Sequence, residues 1–143
     1  MANKQAIIDS ELDIPQKTMA LIVCLGQEIK TEMTRKLKAT GLSLIQLDIL
    51  HALANSREKS LTVNQIKELM IDESPNVSRA LNKLMDSGFI EKRRDIKDQR
   101  IVYIHITREG EKAHVDADKD LLTLKPSINS EDATKLFELL KNL

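Results

Sequence analysis

Apolar side chains recur at steps of three and four through Met19, Ile22, Val23, Gly26, Ile29, Met33 and Leu37, the spacing of one face of an α-helix. Pro15 suits a first helical turn and Gly41 breaks the run, so the pattern predicts a helix of about 24 residues, roughly 36 Å long. Two more helices are marked by their starts. Ser43 with Gln46 and Thr62 with Gln65 have the spacing of capping boxes, and Leu42/Leu47 and Leu61/Ile66 flank them as hydrophobic staples. The first is expected to bury Leu44, Leu47, Leu50 and Leu53 or Ala54; the second is short and buries Val63, Ile66 and Leu69 or Met70. After only Ile71, Asp72 and Glu73, the Ser74-Pro75 pair opens another helix, because proline steers its predecessor out of the helical region and itself fits the first helical position. That helix buries Val77, Leu81, Leu84 and Met85 and ends at Gly88, a left-handed terminator.

Beyond Gly88 the period changes from helical to extended. Phe89, Ile90 and the stretch from Glu91 to Arg94 lead to a polar tip, Asp95 to Gln99, and Ile101 to Ile106 return as a strand rich in β-branched residues. Thr107 is placed to cap a weakly apolar helix through Ala113, Ala117, Leu121 and Leu124, which Pro126 stops. A last helix from about Glu131 carries Leu136, Phe137, Leu140 and Leu143 as its buried face. The fold class is therefore mainly α (α+β). A helix, a tight turn, a second helix and a hairpin form a winged helix-turn-helix, flanked by long N-terminal and C-terminal helices. Residues 1–143 read as a single domain, with a DNA-binding core at 42–107 and dimerisation helices at 1–40 and 108–143. The apolar stripes of the outer helices exceed what a winged core can cover, which predicts a homodimer.

Charge sharpens this picture. Net charge is zero over the chain, which excludes nucleic-acid coating by bulk attraction, yet residues 74–100 carry 7 basic and 4 acidic side chains, a local +3. The outer face of the helix opened by Ser74 shows Asn76, Ser78, Arg79, Asn82 and Lys83. Arg can fork onto guanine and Asn can pair with adenine in a major groove, while Ser and Lys reach bases or phosphates. Arg93, Arg94 and Lys97 on the hairpin suit phosphate contacts. Only Phe89, Phe137 and Tyr103 are aromatic, so base-stacking platforms for single strands are almost absent. Double-stranded DNA is the expected partner. A protein-interaction module on the same scaffold is the alternative, since a fold alone does not choose between them.

The residues Asp98, Arg100, Ile104, Ile106, Thr107 and Gly110 match the D-x-R, apolar-x-apolar, T-x-x-G wing signature of the MarR family of bacterial transcriptional regulators, which the chain resembles over nearly its whole length. The resemblance implies a dimer joined through the terminal helices, a pseudo-palindromic operator and a recognition helix from Ser74 to Ser87 in the major groove. It also implies a minor-groove role for Arg100, with Asp98 orienting it. Many members answer to a small-molecule effector, often aromatic, held between the dimerisation helices and the winged core; the scarcity of aromatic residues argues against an aromatic-lined pocket here. Whether the regulator represses or activates is not written in these residues.

Other chemistries find little support. Cys24, the single cysteine, lies beside the apolar stripe of the long helix, which points to a buried structural residue rather than an oxidation sensor. His51, His105 and His114 fall on three different elements without metal-ligand spacing, so neither a metal nor another cofactor is expected. There is no phosphate-cradling glycine run and no nucleophile elbow, which argues against an enzyme. No apolar run reaches the roughly 18 residues of a membrane span and no signal-peptide pattern opens the chain, so a cytoplasmic location is expected.

Overall fold

The computed structural model describes residues 4–70, 76–125 and 127–143; the expectations for Ser74, Pro75 and Pro126 lie outside them. A short helix α1 (Lys4–Ile8) packs on the long helix α2 (Ile14–Leu37), whose 24 residues match the sequence pattern. Asp13 starts α2 with a capping box, its carboxylate accepting the Gln16 N–H at 2.8 Å, ahead of Pro15. A 3-10 turn (Lys38–Thr40) and Gly41, at φ 73°, reverse the chain.

Helix α3 (Leu44–Asn55) follows, and then β1 (Ser60–Thr62) and α4 (Val63–Leu69). Both expected capping boxes are formed: Ser43 N–H donates to Gln46 Oε1 at 2.7 Å, and Thr62 N–H to Gln65 Oε1 at 2.9 Å. Helix α5 (Asn76–Asp86) leads to the hairpin of β2 (Ile90–Arg94) and β3 (Val102–Ile106), and α6 (Arg108–Leu121) and α7 (Ser130–Leu140) complete the chain. The sheet is antiparallel with order β1-β3-β2; Leu61 pairs with Ile104, and Lys92 faces Ile104 from the other side.

The core lies where α3 crosses α5 and α6 above the sheet. Leu37, Leu42, Leu47, Leu50, Leu53, Ile66, Val77, Leu81, Leu84, Ile90, Ile104 and Ala117 are all buried there. Ile49 and Ala80 join the core from outside the expected set, and Gln46, whose amide closes the capping box, and Ser60 are buried beside it. In α4 it is Met70 that packs on the core, while Leu69 is exposed.

Two sequence expectations need correction. The pattern contains no sign of strand β1, because three residues running into a helix cap are too short for a period to register; β3 needs it as its second neighbour. The last helix does not bury Leu136, Phe137, Leu140 and Leu143 as its pattern predicts: within the chain none of the four is buried, and Phe137 is 63% exposed. Among the described residues nothing covers that face. The stripe on α2 is similar: Met19, Val23 and Ile29 are each more than half exposed and only Leu37 of the series is buried. Among the described residues no helix is long and apolar enough to cross a membrane.

Candidate nucleic-acid interface

The two faces of α5 are sharply divided. Val77, Ala80, Leu81 and Leu84 lock it into the core, which turns Asn76, Ser78, Arg79, Asn82 and Lys83 outward as one exposed polar face. Its end is fixed by a Schellman motif: Gly88, at φ 72°, donates to Met85 O at 2.9 Å, and Phe89 N–H to Leu84 O at 2.9 Å. Among the described residues no carboxylate pairs with Arg79 or Lys83. Of the expected site residues only Ser74 lies outside the described residues.

The wing is rooted by Ile90 and Ile104, both buried, and beyond Ile90 every residue of β2 is exposed. Its tip is held by its own side chains. Asp95 Oδ1 accepts the backbone N–H groups of Lys97 and Asp98, at 2.7 and 2.8 Å, and Asp98 Oδ1 accepts that of Arg100 at 3.0 Å. Asp98 therefore fixes the backbone of Arg100, and no ion pair joins their side chains among the described residues. Arg94 donates to Gln99 O at 2.9 Å across the tip, and Arg93 is paired with Glu91. The wing cations thus differ: Arg94 staples the tip, Arg93 is partly neutralised, and Lys97 and Arg100 project without a paired carboxylate among the described residues. Ile96 stands between them, 97% exposed.

The T-x-x-G signature has a steric cause. Thr107 Oγ1 donates to Gly88 O at 2.7 Å and accepts the Gly110 N–H at 3.1 Å, capping α6 against the end of α5. A Cβ on Gly110 would sit 2.1 Å from Phe89 O, so only glycine lets α6 approach this closely. An open cleft of about 740 Å³ lies between the C-terminal ends of α2 and α5 and the start of α3; Arg35, Lys38, Gln46 and Lys83 line it and no aromatic side chain does.

Sequence reasoning missed one convergence. His51 on α3 meets His114 and Asp118 on α6, and their ligand-type atoms all lie within 4.8 Å of one another. The visible signal was the i, i+4 spacing of His114 and Asp118, which puts both on one helix face; residue 51 could be added only by the fold. Cys24, as expected, is buried, 3% exposed, with Glu28 Oε1 4.0 Å from its sulfur.

These features define a winged helix-turn-helix with a polar reading face, and the comparisons with known proteins place it among transcriptional regulators. Residues 31–117 match the family described as transcriptional regulator SarA/Rot. The chain belongs to that family, whose members are regulators rather than enzymes. It is 36% identical over 73 residues to the HTH-type transcriptional regulator BilQ of Clostridium symbiosum, an alignment covering 46% of this chain and 49% of that protein, so the chain spans about half the length of this curated relative. Its fold is that of MarR family regulators. Sco5413 of Streptomyces coelicolor superposes with a TM-score of 0.75 at 21% identity, covering 91% of this chain and 93% of the other. A cysteine-to-serine mutant of MarR from Escherichia coli, solved with operator DNA, gives 0.72 at 20% identity over 90% and 93%.

Proposed function

We propose that two copies of the chain bind a pseudo-palindromic duplex, each placing α5 in a major groove and its wing in the adjacent minor groove. The observation that carries this reading is the polar face of α5, held rigid from behind by Leu81 and Leu84 and set beside a wing whose Lys97 and Arg100 project outward. Arg79, Asn82 and Asn76 are the readers of base edges, Arg100 is the minor-groove cation, and Lys83 and Lys97 touch phosphates. Ser78 contributes a short hydroxyl to the same face. The exposed stripes of α2 and α7 pair the copies, and the two-fold axis sets half-sites about one helical turn apart. The regulator resolved as an operator complex has the same fold.

The cleft beside α5 is where we place a small-molecule effector. Arg35, Lys38 and Lys83 outnumber the single carboxylate of Asp86 in its lining, which suits it to an anionic rather than a purely aromatic compound. A ligand there would press on Lys83 and Ser87 at the end of the reading helix.

The test starts from duplexes selected out of a random pool. Arg79→Ala should lose roughly 1–3 kcal/mol of discrimination between the selected site and a scrambled duplex. Arg100→Ala should weaken both duplexes more evenly and flatten the salt dependence by about one counterion per wing. Titrations at several salt concentrations separate the two. If neither substitution changes binding, the face is not a DNA site, and capture of a protein partner becomes the better reading.

A further inference from the structure

The crossing of α3 and α6 gathers three side chains that the DNA-binding face does not use. His51 Nε2 lies 2.8 and 2.9 Å from the two oxygens of Asp118, and His114 Nε2 lies 3.1 Å from Asp118 Oδ2. The two imidazole rings meet edge to face, with centroids 4.4 Å apart. His51 and Asp118 are each about a third exposed, so the cluster opens to solvent on one side, while the His114 side chain is 14% exposed.

A hydrogen-bonded ion pair accounts for His51 and Asp118 but leaves His114 over. His114 Nε2 is buried and has no hydrogen-bond partner among the described residues, although the Asp118 carboxylate is only 3.1 Å away. A buried ring nitrogen left in this state is costly unless another group uses its lone pair. The spacing suits such a group. Four-coordinate zinc with ligands at about 2.0–2.1 Å places neighbouring donor atoms roughly 3.3 Å apart; here the Asp118 oxygens stand 2.8–3.1 Å from the two imidazole nitrogens, and one donor atom from each of the three residues lies within 4.8 Å of the others. Asp48 on α3 and Glu111 on α6 add negative charge around the pair of histidines.

We propose that His51, His114 and Asp118 form a binding site for a divalent transition metal of the zinc class, with two imidazole nitrogens and one carboxylate as ligands and the remaining coordination open to water. Two imidazoles select zinc, cobalt or nickel over magnesium and calcium, which prefer all-oxygen shells. A metal here would bridge α3, the helix that precedes the helix-turn-helix, to the helix that leaves the wing, and so stiffen the joint between the reading head and the C-terminal helices.

The experiment needs no DNA and is independent of the operator reading. The chain, stripped with a chelator, is titrated with Co²⁺ while its visible absorption is followed, and Zn²⁺ is then added in competition. One Co²⁺ per chain with ligand-field bands, displaced by Zn²⁺, and a rise in Tm with Zn²⁺ but not Mg²⁺ are expected. His114→Ala and His51→Gln should each weaken Co²⁺ binding about tenfold or more, whereas His105→Ala, outside the cluster, should leave it intact. His51 is more exposed than His114, so its variant keeps the test open should His114→Ala misfold. Absence of a saturable cobalt band, or binding untouched by both cluster variants, would overturn the proposal.

Discussion

Gly110 is held to its identity by a carbonyl group. With Phe89 O standing 2.1 Å from where a Cβ would fall, Gly110→Ala must push α6 off the end of α5, and a loss on the order of 1–3 kcal/mol is expected by denaturant titration. Thr107→Ala removes the cap of α6 and the bond to Gly88 O together, and should cost at least the roughly 1 kcal/mol of an N-cap. The sequence shows these two residues only as a family signature; their physical reason, a close backbone approach between segments about 20 residues apart, exists only in the fold. Cys24 behaves differently, since its position beside an apolar stripe foretold its burial. With 3% of its surface accessible, mild peroxide should leave DNA affinity nearly unchanged, and Cys24→Ser should match the parent. Thiol-reversible loss of binding that vanishes in Cys24→Ser would reverse that reading.

At the scale of elements, what was legible was what is local. Capping boxes at Ser43 and Thr62, the stop at Gly88 and the polar tip of the hairpin depend on neighbours within a few residues, and each is where the pattern put it. What was hidden depended on partners far along the chain: β1, which is a strand only because β3 lies alongside, and the meeting of residue 51 with the His114 face of α6. The wing gives a test at this scale. Arg94 ties the tip through Gln99 O, whereas Lys97 holds nothing with its side chain among the described residues. Arg94→Ala should therefore speed amide hydrogen exchange across residues 96–100 and weaken DNA binding through a looser Arg100. Lys97→Ala should leave exchange unchanged and lower only the salt-dependent part of the affinity. Equal protection in both variants would remove Arg94 from the role of staple.

For the whole molecule, the exposed apolar side chains are concentrated outside the winged core. Met19, Val23 and Ile29 on α2 and Phe137, Leu139 and Leu140 on α7 form faces larger than scattered surface residues would make. Phe137→Asp should shift sedimentation toward the 16.2 kDa monomer while leaving the circular dichroism of the fold intact, since no core contact is lost, and affinity for a two-half-site duplex should fall far more than affinity for a single half-site. A variant that sediments as the parent does would place the pairing surface elsewhere.

The seat of Gly110 against Phe89 also makes the wing and α6 a lever with almost no play at its fulcrum. Helix α6, 14 residues long, measures roughly 21 Å, so a tilt of about 10° at the Thr107 joint carries its far end some 4 Å. With the Gly110 backbone packed this tightly against Phe89 O, the joint has little room to absorb a rotation, and the arm is expected to carry the wing with it. In the proposed dimer, spreading or closing the C-terminal helices would thus be felt at the two wing tips as a change in their span, which a duplex with fixed groove spacing would read.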